Sequence, residues 1–132
     1  MRFMLDTNII SDMIRNPTGK AVSAMLREGE DAVCTSIVVA SELRYGCARK
    51  GSAKLSRKVE EFLAEIPVLP LDVPMDVQYG ALRAELEGMG QTIGHNDLFI
   101  AAHACTLGTT LVTANTGEFS RINGLKVENW LA

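Results

Sequence analysis

Four acids in this sequence sit where a carboxylate could do more than face water. Asp6 closes the apolar run Phe3-Met4-Leu5 and precedes Thr7-Asn8. Glu42 lies inside Ala40-Ser41-Glu42-Leu43-Arg44-Tyr45-Gly46. Asp97 follows Gly94-His95-Asn96, and Glu118 follows the polar stretch Ala114-Asn115-Thr116-Gly117. Carboxylates that meet repel one another: two unit charges about 4 Å apart cost roughly 4 kcal/mol at an effective dielectric of 20. Three or four together shift their pKa values up, or apart, unless a cation neutralises them. Oxygen donors without His or Cys at ligand spacing suit a hard ion, Mg²⁺ or Mn²⁺. Such an ion keeps waters, binds substrate phosphate and lowers the pKa of a bound water. The chemistry implied is phosphodiester hydrolysis by in-line attack. No phosphate-binding glycine loop or dinucleotide glycine motif appears.

Each acid also has a structural reading. Asp6 can belong to a helix cap. Glu42 can reach to solvent, or pair with Arg44 or Arg49. Asp97 can complement a helix dipole. The chemical reading requires that the chain's elements bring these acids to one place.

Those elements can be read in order. Phe3 to Leu5 is a short buried strand that ends in a carboxylate. Thr7 and Asn8 both suit the cap of the helix that follows, Ile9 to Arg15, which Asn16-Pro17 stops. Lys20 to Glu28 is a second helix, with Ala21, Val22, Met25 and Leu26 on one face and Gly29 at its end. Ala32 to Thr35 is a strand. Thr35 or Ser36 caps a helix to about Arg49. Val38, Glu42 and Tyr45 share one stripe of it, beside the apolar stripe of Val39, Leu43 and Gly46 or Cys47. A carboxylate there is costly unless paired or metal-bound.

Residues 49–58 carry Arg49, Lys50, Lys54, Arg57 and Lys58, five of the chain's 13 basic residues. They open a helix that continues through Val59, Phe62 and Leu63. The run reads either as a solvated face or as a phosphate-contacting patch. Ile66 to Leu71 is a strand weakened by two prolines. After a turn, Met75 to Glu87 is amphipathic and helical. His95 or Asn96 caps a helix to about Leu107, closed by Gly108. This puts Asp97 in a first turn, with His103 a packed or capping histidine. Thr110 to Thr113 is another strand, leading into a polar turn at Ala114 to Phe119. Leu125 to Trp130 is a last edge strand, with Trp130 as a core or interface anchor.

This alternation predicts an α/β fold: a parallel sheet with helices on both faces. Ligands in such sheets bind beyond the carboxyl ends of the strands. Asp6 and the Asn115–Glu118 turn follow strand ends, and helix starts lie near the same edge.

The length of 132 residues suits one domain. No apolar run is long enough for a membrane span, and the N-terminus does not resemble a signal peptide. Cys34, Cys47 and Cys105 have no metal-ligand spacing and read as reduced core thiols. A cytoplasmic location is the expectation. The net charge of −3 argues against a general nucleic-acid coat but accommodates a nuclease with an acidic metal site.

Leu5-Asp6-Thr7-Asn8, Ala40 to Gly46, His95 to Ala104, Leu111 to Phe119 and the closing Gly124 to Trp130 resemble the PIN-domain ribonucleases. Among these they are most similar to the VapC toxins of bacterial type II toxin–antitoxin pairs. The resemblance spans the whole chain. It implies a single PIN domain over 1–132, a three-layer α/β/α sandwich with a central parallel sheet. It also implies a Mg²⁺-dependent endoribonuclease, with Mn²⁺ as an alternative ion. Asp6, Glu42, Asp97 and Glu118 carry over as catalytic acids. Asp6 and Asp97 are the direct metal ligands, with Glu42 on a second ion or on the water. Thr7, Asn8 and Asn115 position substrate or water. Many members have Asp where this chain has Asn115, so that ligand is weakened or replaced by Glu118. Members of this kind often act on tRNA. They are usually homodimers blocked by a cognate antitoxin, and operator DNA is met only through that antitoxin. The rival reading is a non-catalytic toxin-like subunit of a DNA-binding repressor complex.

Overall fold

The computed structural model describes all residues, 1–132. Successive side chains of a strand point to opposite faces, and Phe3, Met4 and Leu5 are all buried. The strand they form, β1 (Phe3–Leu5), must therefore be covered on both sides. It lies at the centre of the sheet, paired in parallel with β2 (Val33–Ser36) and β4 (Thr110–Val112). Leu5 stands opposite Thr35 on one side and Val112 on the other. With β3 (Val68–Leu69) and β5 (Val127–Glu128) the order is β3-β2-β1-β4-β5, and every pair is parallel. Seven helices connect and cover the strands: α1 (Thr7–Arg15), α2 (Lys20–Glu28), α3 (Ile37–Lys50), α4 (Ala53–Glu65), α5 (Met75–Gly88), α6 (His95–Leu107) and α7 (Thr116–Phe119). A single 3₁₀ turn at Glu30–Ala32 precedes β2. The 31 buried apolar side chains form one contiguous core.

Several local expectations change. Asp6 caps α1, as its structural reading allowed, in place of Thr7 or Asn8: its carboxylate accepts the Thr7 N–H at 2.8 Å. The cap of α6 is Gly94, with no side-chain bond; His95 and Asn96 lie inside the helix. The basic run does not open one helix. Arg49 and Lys50 end α3, Gly51 turns the chain in the left-handed region (φ 65°), and Ser52 starts α4 by accepting the Leu55 N–H at 3.2 Å. The strand expected at 66–71 shrinks to Val68–Leu69, between two prolines that cannot donate to a ladder. The last strand shrinks to Val127–Glu128. The polar turn after β4 winds into the short helix α7.

The expected cap of α3 holds at Ser36, whose hydroxyl accepts the Val38 N–H at 3.1 Å. The same hydroxyl lies 2.9 Å from Nδ1 of the buried His103, which ties α6 to the start of α3. Gly108 closes α6 at φ 68°. Trp130 is buried and meets Phe3 edge-on at 5.2 Å. The three cysteines are unpaired. Burial pushes the Cys34 thiol up to about 11, which keeps it protonated and unreactive.

Candidate active site

Asp6 lies one residue beyond β1 and is 4% exposed. Its own N–H still donates to the Val112 carbonyl at 2.9 Å, so strand geometry carries through to it. Its side chain is held on both oxygens. Oδ1 accepts the Thr7 N–H at 2.8 Å; Oδ2 accepts the Thr113 hydroxyl at 2.8 Å and, more weakly, Asn8 Nδ2 at 3.4 Å. Burial pushes the Asp6 carboxyl above its ordinary value. The Thr113 and Thr7 bonds pull against that, Glu42 adds to it, and Asn8 lowers it slightly.

Glu42 sits in the second turn of α3, half-buried. Its Oε1 accepts the Thr7 hydroxyl at 2.6 Å. Arg44, on the same helix, donates instead to both carboxylate oxygens of Glu60, at 2.9 and 3.0 Å. Arg49 makes no ion pair; the three in the chain are Arg2–Glu28, Arg44–Glu60 and Arg83–Glu87. Neither arginine is therefore paired with Glu42.

Asp97 occupies the first turn of α6, half-buried. Its carboxyl is pushed up to about 7. Burial is the largest cause, followed by the negative charges of Glu118, Asp6 and Glu42. Four acids from four separate elements therefore share one electrostatic environment.

Glu118, on α7, is held by its neighbours. Asn115 Nδ2 donates to Oε2 at 2.7 Å, and the Gly94 N–H donates to Oε1 at 3.3 Å. Through Glu118, α7 is tied to the turn that launches α6 and Asp97.

The donor set fits a divalent ion in a particular way. As placed, no three of the His, Cys, Asp or Glu side chains come close enough to enclose one ion together. They are close enough to raise the Asp97 pKa through space. That combination suits a small hydrated ion, which binds one or two carboxylates directly and keeps its other waters. It does not suit a dry cage of carboxylates.

The three residues expected to position substrate or water are each engaged within the chain. Thr7 spends its hydroxyl on Glu42 and its N–H on Asp6. Asn8 accepts the Ala114 N–H at 2.9 Å, pinning the loop after β4 to α1. Asn115 orients Glu118.

One residue at this site escaped the sequence reading. Thr113 is fully buried, donates to Asp6, and accepts the Asn115 N–H at 3.0 Å. Its signal was register. Leu5 faces Val112 across a parallel ladder, so the next residues on each strand, Asp6 and Thr113, must also be neighbours.

The model of the PIN domain family matches residues 3–125. This chain belongs to the PIN-domain family. Its relatives include ribonuclease VapC2 of Rickettsia felis and the tRNA(fMet)-specific endonuclease VapC of Shigella flexneri. Each is 38% identical over 98% of both chains. A crystal structure of VapBC2 from Rickettsia felis, bound to a DNA fragment from its promoter, contains a chain of the same fold. The TM-score is 0.91 at 35% identity, covering 98% of this chain and 99% of that one. Family and relatives together make this PIN domain a nuclease of the VapC type.

Proposed function

We propose that this PIN domain is a divalent-metal-dependent endoribonuclease, the toxin of a type II toxin–antitoxin pair, acting on tRNA. The observation that carries this reading is the meeting of four acids from four elements, with Thr7 bonded to both Asp6 and Glu42, and Glu118 bonded to the Gly94 N–H at the start of α6; burial and the other three acids raise the Asp97 carboxyl among them. A site that repels itself at neutral pH has a standing use for a cation. Asp6 and Asp97 would hold Mg²⁺ or Mn²⁺ directly, with Glu42 and Glu118 reaching it through water or a second ion. A bound ion of this kind neutralises the carboxylates, makes a water more acidic and offsets charge building on a phosphoryl oxygen.

The chain's own part is positional. Thr7 fixes one oxygen of Glu42, leaving the other to accept a proton from the attacking water. Asp6 cannot rotate away, because three donors hold it. Asn115 keeps Glu118 turned toward Asp97.

The Shigella flexneri relative, named for tRNA(fMet), supports tRNA as the substrate class. The Rickettsia felis complex supports a cognate antitoxin and operator DNA bound through it. The net charge of −3 accords with leaving DNA contacts to the partner. The exposed Val73 and Val77, 80% and 66% accessible, suit a homodimer contact. No helix is long and apolar enough to cross a membrane, and the unpaired cysteines suit a reducing cytoplasm.

Asn115 favours one rival: a non-catalytic subunit that only represses transcription with its antitoxin. Purified protein incubated with tRNA in Mg²⁺, Mn²⁺ or EDTA separates the two. The expected result is metal-dependent cleavage that Asp6→Asn and Asp97→Asn abolish with folding intact by circular dichroism. Cleavage in EDTA, or by either variant, overturns the assignment.

A further inference from the structure

A cleft of about 240 Å³ opens between α1, α3 and α4. Thr7 and Glu42 form part of its wall, so it is continuous with the carboxylate site. Ile14, Leu43 and Leu55 give it an apolar floor, and Arg15 and Lys50 line it with positive charge. Glu42 is the single acid in the lining. Lys54 and Lys58, both exposed, each precede a lining residue, Leu55 and Val59. None of the basic residues from 49 to 58 is in an ion pair.

Gly46, in the interior of α3, is part of the lining. A Cβ added to Gly46 meets nothing within 4 Å. Gly46 is not among the positive-φ residues, so its backbone does not call for glycine. A glycine inside a helix costs about 1 kcal/mol relative to alanine. What the missing side chain leaves is space beside Glu42.

We propose that this cleft is a nucleotide subsite: the base next to the scissile bond seats over Gly46, and Arg15 and Lys50 take the flanking phosphates. The inference rests on the ribonuclease reading and adds where the RNA lies. An unpaired base brings an apolar face that the floor can cover. The phosphates on either side supply the negative charge that the unneutralised cations call for. A base stacked in a duplex cannot enter such a cleft, so the strand must be single there. The wall shared with Glu42 puts an occupant of the cleft beside the reacting bond.

The test compares wild type with Gly46→Leu, Arg15→Gln/Lys50→Gln, and Lys126→Gln as a remote control. Binding of a fluorescent single-stranded RNA is measured in EDTA across a salt series, and KM and kcat for tRNA are measured in Mg²⁺. Gly46→Leu is expected to melt no lower than wild type, because leucine is the better helix former. It should weaken RNA binding and raise KM by about tenfold, the scale of one base contact, with kcat little changed. The double variant should flatten the salt slope by about 1.4, at roughly 0.7 per neutralised phosphate of a single strand. Lys126→Gln should behave as wild type.

Wild-type RNA affinity and KM in Gly46→Leu overturn the subsite. So does loss of antitoxin binding with RNA binding intact, which assigns the cleft to a protein segment. If Gly46→Leu does not fold, the salt slope of the double variant decides. Wild-type protein that binds RNA through the cleft but cleaves none refutes the ribonuclease reading and leaves the subsite standing.

Discussion

Thr113 donates its hydroxyl hydrogen to Asp6 Oδ2 at 2.8 Å, across the parallel ladder from the end of the neighbouring strand. A carboxylate can only accept, so the hydroxyl donates to it, while the same oxygen accepts the Asn115 N–H at 3.0 Å. A residue with no charge of its own thus pulls against the rise that burial imposes on the Asp6 carboxyl. The two strands that meet at the centre of the sheet deliver both groups, and the loop after β4 locks the donor.

Thr113→Val removes that donor at nearly constant volume. Hydrogen bonds to charged groups are worth about 1.5–3 kcal/mol, so kcat/KM should fall about 10- to 100-fold. Thr113→Ser should keep most of the activity. The Thr113 bond lowers the Asp6 pKa against the effect of burial. Without it the pKa rises further, and the acid limb of the kcat/KM profile should move to higher pH. A profile that drops in height without moving would count against this account.

The elevated carboxyl of Asp97 has a consequence for stability without metal. Its pKa is about 7 in the fold against 3.8 when unperturbed. Between those values the folded chain holds a proton that the unfolded chain has lost. Stability from this group is therefore full at low pH and declines as pH rises toward 7. In EDTA at pH 8, Asp97→Asn should melt several degrees above wild type, on the order of 1 kcal/mol after solvent screening. The gap should narrow as pH falls below 7 and close near pH 4. Added Mg²⁺ should stabilise wild type and leave the variant unmoved. Thermal melts across pH, with and without Mg²⁺, check all three outcomes.

The residues show which parts of this architecture can be read from sequence. Phe3-Met4-Leu5 is apolar on both faces and ends in a polar pair, so a central parallel strand with a carboxylate at its tip follows from the pattern. Ser36 and Gly108 bound their helices by local chemistry alone. Features set by tertiary contact were not legible. Asp6 as the cap of α1 was one of the open readings, but nothing local says that the Thr7 hydroxyl goes to Glu42, 35 positions away. The edge strands β3 and β5 shortened because only one neighbour defines each. The likeness of Asp6, Glu42 and Asp97 to the family motif named the acids, but their mutual repulsion is a property of the folded chain.

Asn115 is an amide at a place where the family resemblance leads one to expect an acid. Its amide donates to Glu118 at 2.7 Å, so the lost charge is replaced by a neighbour that the amide orients. Asn115→Asp exchanges that donor for a second negative charge. In EDTA at pH 8 the variant should melt below wild type, because the two carboxylates repel. In titrations followed by melting temperature it should need severalfold less Mg²⁺ for half of the shift, since affinity rises with ligand charge. Glu118→Gln should do the reverse on both counts, as it removes the largest charge acting on Asp97. Equal Mg²⁺ midpoints in the three proteins would remove Glu118 from the metal shell.

Thr7 and Glu42 provide the sharpest separation of position from charge. The 2.6 Å bond between Thr7 Oγ1 and Glu42 Oε1 joins the first turn of α1 to the second turn of α3. Thr7→Val deletes the hydroxyl but keeps the backbone N–H that holds Asp6. If Thr7 acts by aiming Glu42, the change should lower kcat about tenfold and leave KM nearly unaltered, the scale of one hydrogen bond at a proton acceptor. Thr7→Ser should restore the rate. The same change in a Glu42→Gln background should cost almost nothing further, because there is no longer a base to aim. That non-additivity is the signature of a coupled pair. Additive losses would mean that Thr7 touches substrate or water on its own account, as the sequence alone suggested.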